Sequence, residues 1–263
     1  MNLRFLDLIQ GCIWLFACVL ILFLLIVSYP NPINVNATVD LSWPNCQDLP
    51  NLTFSNAVIG INGGLDFHSN PCAANEAAQV LKYSLYVNSG NPGYPKIREI
   101  GKYPLICGRY SGIFALKCYS FNYGYEAAQY SIHQASLDGL HARFWWIDVE
   151  TINSWTVNKN ANRADIEGMI YALHGLLFPV GVGIYTAPNL WHELVGNWQL
   201  GLPLWLGTGS QKLNGVANYC RTKSVTGGPV YMAQYSINNI DFDVVCRLPL
   251  SINKVFNFNS SKK

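Results

Sequence analysis

Residues 144–150, FWWIDVE, set two carboxylates at the end of an unbroken apolar run. Such a run reads as a buried strand of a sheet covered on both faces. Side chains alternate along a strand, so Asp148 and Glu150 leave on one face, roughly 6–7 Å apart. Two buried acids are unfavourable unless they are paired, hydrogen-bonded or used. At the C-terminal end of a barrel strand such acids serve chemistry. Glycoside hydrolysis needs this kind of pair, one acid protonated and one ionised, each tuned by its surroundings. Glu150, at the strand mouth, is the candidate general acid. An apolar wall would raise its pKa, and the charge of Asp148 would raise it further. Asp148, one layer deeper, would hold charge and orient Glu150 or the substrate. The competing structural reading pairs one acid with a buried Arg or spends it on a helix cap, and a lone D-x-E is a weak signal.

Other acids fall at other strand ends. Asp40 follows the first strand, and Asp241 and Asp243 lie on the last. In a closed barrel the first and last strands are neighbours, so these acids could converge on one mouth. For Asp243 a turn role is an equal alternative. Around them, Tyr185 could hydrogen-bond a carboxylate or an acetamido group, Gln234 could reach sugar hydroxyls, and Trp205 could stack on a ring. Packing is the alternative for each. Trp43 and Trp155 flank the mouth in sequence as possible platforms. Asp66 and His68 follow the second strand in a Gly-rich loop that reads as solvated.

The elements that must hold these residues alternate in type. Strands are predicted at residues 37–42, 56–62, 83–88, 144–148, 180–185, 202–206, 230–235 and 240–246, with helices at 125–140, 162–177 and 188–195. Residues 89–120, rich in Gly and Pro, read as a long loop. Alternation argues for a parallel sheet. An open doubly wound sheet would carry a Gly-rich phosphate loop after its first strand. That position here reads DLSWPNC, so the expected fold is α/β, a TIM-like (β/α)5β3 barrel over residues 40–250.

Residues 12–27, CIWLFACVLILFLLIV, form an uncharged apolar run. It is longer than the usual signal-peptide core of about 7–15 residues and shorter than a typical span of about 20. Residues 1–28 are therefore a signal peptide or membrane anchor, the anchor being favoured, with residues 29–39 a linker and 251–263 a polar, frayed tail. Six cysteines remain outside the run, an even number that suits an oxidising, extracellular setting. Three disulfides among 15 possible pairings are expected, and the sequence leaves the pairing open; the set that would join neighbouring loops is Cys46–Cys72, Cys107–Cys118 and Cys220–Cys246. With 17 basic and 15 acidic residues and no basic stripe, nucleic acid is not an expected partner. No CxxC or HExxH motif occurs and the five His are scattered, so neither metal nor cofactor is implied.

The order DLSW, FWWIDVE, GIYT, LWLG, AQYS and IDFD resembles the family 25 glycoside hydrolases, the Chalaropsis-type lysozymes, and within that clan secreted actinobacterial proteins with stretches similar to INGGLDFHSNPC, DVETINSW and ANRADIEGM. The resemblance implies a (β/α)5β3 barrel and hydrolysis of the β-1,4 bond after N-acetylmuramic acid in peptidoglycan. It implies Glu150 as acid/base, with Asp148, Asp40 and Asp241 in the site. Where that family carries a Gln-containing motif after the first strand this chain has SWPNC. Where the family has an aromatic-His pair it has LYVNSGNPG. Part of the substrate surface is therefore rebuilt. Family 18 chitinases need Asp where this chain has Phe144 and Trp146, and are set aside.

The expectation is an exported or membrane-tethered monomeric glycosidase acting on cell-wall polysaccharide, retaining and acetamido-assisted. Two other classes stay open: a non-catalytic module that grips wall glycan, and a disulfide-stapled surface domain that binds protein.

Overall fold

The computed structural model describes residues 38–46, 54–246 and 257–258. The expected anchor at residues 12–27 lies outside them. Among the described residues no helix is long and apolar enough to cross a membrane.

Eight strands close a barrel. They are β1 (Thr38–Leu41), β2 (Asn56–Gly60), β3 (Lys82–Asn88), β4 (Phe144–Asp148), β5 (Gly181–Thr186), β6 (Leu202–Ser210), β7 (Gly227–Ile237) and β8 (Ile240–Val245). β1 to β7 run parallel, each beside the next, and β8 returns antiparallel between β7 and β1. Helices α1 (Ala73–Ala78), α2 (Lys96–Ile100), α3 (Gly112–Leu137), α4 (Lys159–His174) and α5 (Pro188–Val195) occupy the crossovers up to β6. Beyond it only a 3-10 turn, Val216–Arg221, intervenes, so the expected (β/α)5β3 order is what the chain adopts.

Alternation within each strand builds two cores. Outward residues such as Val39, Leu41, Leu85, Val87, Trp145 and Ile147 pack beneath the helices. Inward residues Val58, Tyr86, Phe144, Trp146, Trp205 and Met232 fill the barrel. Bulky rings on one strand require glycine on the next. A Cβ at Gly181 would stand 2.3 Å from the Phe144 ring, and one at Gly183 2.3 Å from the Trp146 ring. FWWID and VGVGIY are thus complementary halves of one packing layer.

Five expectations need correction. The segment at residues 89–120 is not all loop, because it contains α2, and α3 begins at Gly112, well before the predicted residue 125. The buried residues of α3 are Ala115, Cys118, Ser120, Asn122, Tyr123, Gly124, Ala127, Ala128, Ser131 and Ala135, small side chains except for Tyr123, so no strong apolar stripe announces its first turns. Small residues are needed there because α3 and α4 touch backbone to backbone: a Cβ on Gly124 would meet the Asp165 carbonyl oxygen at 2.0 Å. α4 starts three residues earlier than predicted, where the Asn158 side chain accepts from the backbone N–H groups of Asn160 and Ala161. The tail is not frayed throughout, since β9 (Asn257–Phe258) pairs antiparallel with Lys82 and Tyr83, and the linker ends early because Thr38 and Val39 already belong to β1.

All three expected disulfides are present. Cys46–Cys72 ties the β1 exit to the start of α1, Cys107–Cys118 holds the α2–α3 connection on α3, and Cys220–Cys246 joins the 3-10 turn to the end of β8.

Candidate active site

At the C-terminal end of the parallel strands a cavity of about 430 Å³ opens between the loops. Its lining includes all seven residues singled out from the sequence: Asp40, Asp148, Glu150, Tyr185, Trp205, Gln234 and Asp241. Tyr86, Asn88, Ser42, Trp43 and the loop residues Gly63, Gly64 and Leu65 also belong to the wall, with Pro44, Ile152 and Asn153. No Lys, Arg or His is among the lining residues, which removes the reading in which one acid pairs with a buried Arg.

Glu150 is positioned through its backbone. Val149 N–H donates to the Tyr185 carbonyl at 2.9 Å, extending the β4–β5 ladder one residue past Asp148. The Thr186 hydroxyl donates to the Val149 carbonyl at 2.8 Å, and the Trp155 indole N–H to the Glu150 carbonyl at 2.7 Å. Trp155 is therefore a clamp on the Glu150 main chain and does not line the cavity. The carboxyl itself projects into the mouth. Burial raises its pKa, and the charge of Asp241 adds to the shift.

Asp148 is buried below it and accepts from the Asn88 amide. Its main-chain carbonyl accepts from Ser89 N–H at 3.0 Å and the Ser89 hydroxyl at 2.5 Å. Burial raises the Asp148 carboxyl well above the usual range, Glu150 raises it further, and the Asn88 bond opposes both. Burial in one poorly solvated mouth therefore pushes both carboxyls up, and the charge of each opposes ionisation of the other, so the pair favours one proton shared between the two acids.

Across the cavity, Asp40 on β1 stands opposite Asp241 on β8 in the strand register. Tyr185 Oη donates to Gln234 Oε1 at 2.6 Å, and Gln234 Nε2 donates to Asp40 Oδ2 at 3.1 Å. This chain ties β5, β7 and β1 together. Asp40 is raised well above its ordinary pKa by burial, then by Asp243, Asp241 and Asp148. Ser236 donates to the Asp241 carboxylate. Asp40, Asp148 and Asp243 each keep one buried carboxyl oxygen with no hydrogen-bond partner among the described residues.

Trp205 departs from the role first given to it. Its side chain is 1% exposed, which leaves no face for a sugar ring. It forms the cavity floor, its ring centroid 4.4 Å from that of Tyr185, and its indole N–H donates to Asp243 Oδ1 at 2.5 Å. Asp243 is thus a buried partner of the floor and has no turn role. Trp43, at 53% exposed on the rim, is the residue with a free aromatic face. Asp66 and His68 do not line the cavity. His68 is exposed, whereas Asp66 turns beneath its loop against Gly90 and the Tyr123 hydroxyl, and burial raises its carboxyl to about 7.

Sequence reasoning passed over Tyr86 and Asn88. Their signal was present in β3, where Ser84, Tyr86 and Asn88 alternate with Leu85 and Val87. Polar groups on the inward face of a fully buried strand point at the barrel mouth. Tyr86 rests edge-on against Trp205, with ring centroids 5.9 Å apart, and its phenol is hydrogen-bonded to Ser42.

Among the described residues no cluster of His, Cys, Asp and Glu could hold a metal ion. Fold and cavity together define an acid-lined, disulfide-stapled β/α barrel. In sequence, residues 111–223 match the family described as Lysozyme-like protein 1 (Lys-1). The matched stretch runs from α3 to the turn after β6 and contains Asp148, Glu150, Tyr185 and Trp205. No curated protein matches the chain. Among solved structures, a similar one is a glycosyl hydrolase 25 of Streptococcus pneumoniae, described as the virulence factor GHIP participating in host cell invasion. It is 13% identical, with 82% of this chain and 88% of that chain covered and a TM-score of 0.47.

Proposed function

We propose that this protein is an extracellular glycosidase that cleaves cell-wall glycan of the peptidoglycan type, with Glu150 as general acid. The observation that carries the reading is the cation-free mouth in which Asp40, Asp148, Glu150 and Asp241 converge. Such a mouth keeps a carboxyl protonated at a pH where a free one would be ionised. The match of residues 111–223 to a lysozyme-like family supports it from sequence, and the three disulfides suit an extracellular location.

In the proposed reaction Glu150 gives its proton to the glycosidic oxygen as the C1–O bond breaks. The carbonyl oxygen of the neighbouring acetamido group closes on C1, and Asp148, held by Asn88, accepts the acetamido N–H and balances the charge. Water then attacks C1, returns a proton to Glu150 and reopens the ring, so the anomeric configuration is retained. Tyr185, Gln234 and Asp40 line the opposite wall and hold sugar hydroxyls, and Trp43 offers a stacking face at the rim. The test compares wild type and Glu150→Gln on purified peptidoglycan for soluble reducing ends and for pull-down. Release by the wild type alone, with binding by both, supports the assignment. Binding without release by either makes the barrel a glycan-gripping module.

A further inference from the structure

The connection from β3 to α3 carries a surface that the proposed chemistry does not use. It leaves β3 at the mouth end, where Asn91 N–H donates to the Ser154 carbonyl at 2.7 Å. Its main chain is then held along α3. The buried Asn122 amide donates to the Gly101 and Leu105 carbonyls at 3.2 and 2.8 Å, and its oxygen accepts from Leu105 N–H at 3.0 Å. The Glu126 carboxylate accepts from Lys102 and Tyr103 N–H at 2.8 and 2.9 Å, and Cys107–Cys118 staples the segment down. With its polar backbone spent inward, the segment turns apolar side chains out. Residues 94–114 hold seven of the nineteen large apolar side chains exposed among the described residues, which sets this stretch apart from the mouth rim and from the strand-start end. Ile106 is 76% exposed, Tyr103 72% and Phe114 69%.

Charge identifies the partner. Residues 94–119 carry five basic side chains and one acidic one, net +4 on a chain whose total is +2. Lys96, Arg98, Lys102, Arg109 and Lys117 are all exposed. Each exposed tyrosine of the stretch has a cation beside it. Arg109 stands over the Tyr110 ring, 5.3 Å from its centroid, the Arg98 charge reaches the Tyr94 phenol, and Lys102 adjoins Tyr103 in sequence. A ring with a cation at its side, repeated three times, suits a polymer in which sugars alternate with anions, because the ring stacks on a sugar and the cation pairs with a phosphate. A lipid-binding face would instead segregate one apolar side from its cations. We infer that the Tyr94–Phe114 surface binds a phosphodiester-linked sugar polymer of the cell wall. The cation-free acidic mouth repels such a chain, so mouth and shoulder take different parts of the wall. The inference rests on the wall location proposed above and not on hydrolysis.

The test uses the full chain in detergent micelles and purified bacterial walls that carry such a polymer. The walls are used before and after hydrogen fluoride treatment, which cleaves phosphodiesters and leaves the peptidoglycan. Wild type should bind untreated walls at least about tenfold more tightly than stripped walls. The Arg98→Glu, Arg109→Glu double variant changes two exposed side chains remote from the mouth lining. It should bind both preparations alike, at the wild type's affinity for stripped walls. Equal affinity of the wild type for the two preparations overturns the proposal, and so does a preference that survives in the double variant. Single-stranded DNA or micelles doped with phosphatidylglycerol, at matched phosphate, should leave the preference in place. Its loss to either would mark a general polyanion or lipid site and overturn the assignment. Wild type that binds untreated walls and fails on stripped ones supports this surface while counting against the mouth as a glycan site.

Discussion

The ring of Tyr86 offers a way to disturb the mouth without disturbing the fold. Gly60 on β2 faces it. A Cβ there would lie 2.7 Å from Tyr86 Cζ, short by 0.7 Å of the 3.4 Å at which ordinary contact begins. Gly60 does not have a positive φ, so alanine takes up the backbone without strain. The ring cannot retreat towards Trp205, which already meets it edge-on. The open side is the cavity, so Gly60→Ala should swing the phenol off Ser42 and into the space between Asp40 and Asp148. Crowding of this size costs about 1–2 kcal/mol, and the lower chain entropy of alanine in the unfolded state returns about 0.4–1 kcal/mol. Net stability should change by about 1 kcal/mol, a shift of about 2–4 °C in Tm for a domain of this size. Displacing a wall group by most of an ångström should lower kcat/KM on peptidoglycan by about 10- to 100-fold. Thermal unfolding and reducing-end release read the two effects separately. Unchanged activity would show that Tyr86 does not shape the substrate space, and a collapse of Tm would show that the ring has nowhere to go.

Gly168→Ala should do the reverse. Its Cβ would meet the Phe121 carbonyl oxygen at 1.9 Å, and neither backbone can yield. After the gain of about 1 kcal/mol from helix propensity, a net loss of at least about 2–3 kcal/mol is expected in denaturant unfolding, with kcat/KM of the folded fraction retained. Stability should also fall as pH rises from about 4 to about 7. Asp66 and Glu76 are both pushed up by burial to about 7, so between those limits the folded state holds protons that the unfolded chain has released. The ceiling is about 4 kcal/mol for Asp66 and about 3 kcal/mol for Glu76, and Glu76→Gln should flatten part of the slope in melts taken from pH 4 to 8. Asp241→Asn removes a charge that raises the Glu150 pKa, so the alkaline limb of the rate profile should move to lower pH. The move should be partial, because burial is the larger cause. An unmoved limb would take Glu150 out of the acid role.

The barrel was legible wherever a strand is a short apolar run with a chemical ending. DLSW, FWWIDVE, GIYT and IDFD put Asp40, Asp148, Glu150, Tyr185 and Asp241 at or near strand ends that a closed barrel can bring to one mouth, and all five line the cavity. The even cysteine count announced three disulfides but left 15 pairings open, and the set joining neighbouring loops is the one present. The illegible parts have a common physical origin. The buried face of α3 is mostly Ala, Ser, Asn and Gly, so hydrophobic periodicity found only its second half, from residue 125, and missed the turns from Gly112. Trp205 read as a sugar platform because an aromatic side chain does not disclose its partner, and the Asp243 that takes its N–H arrives from a strand 38 residues away. Asp66 read as solvated because its sequence neighbours are polar, whereas the groups that bury it, Gly90 and Tyr123, come from the β3–α2 loop and from α3.

The most direct measurement digests purified peptidoglycan in oxygen-18 water and analyses the released muropeptides by mass spectrometry, with Glu150→Gln alongside. Hydrolysis with Glu150 as acid predicts one labelled oxygen at each new reducing end, with N-acetylmuramic acid as the end sugar, from the wild type only. Unlabelled products, label released equally by Glu150→Gln, or intact glycan from both proteins would contradict it.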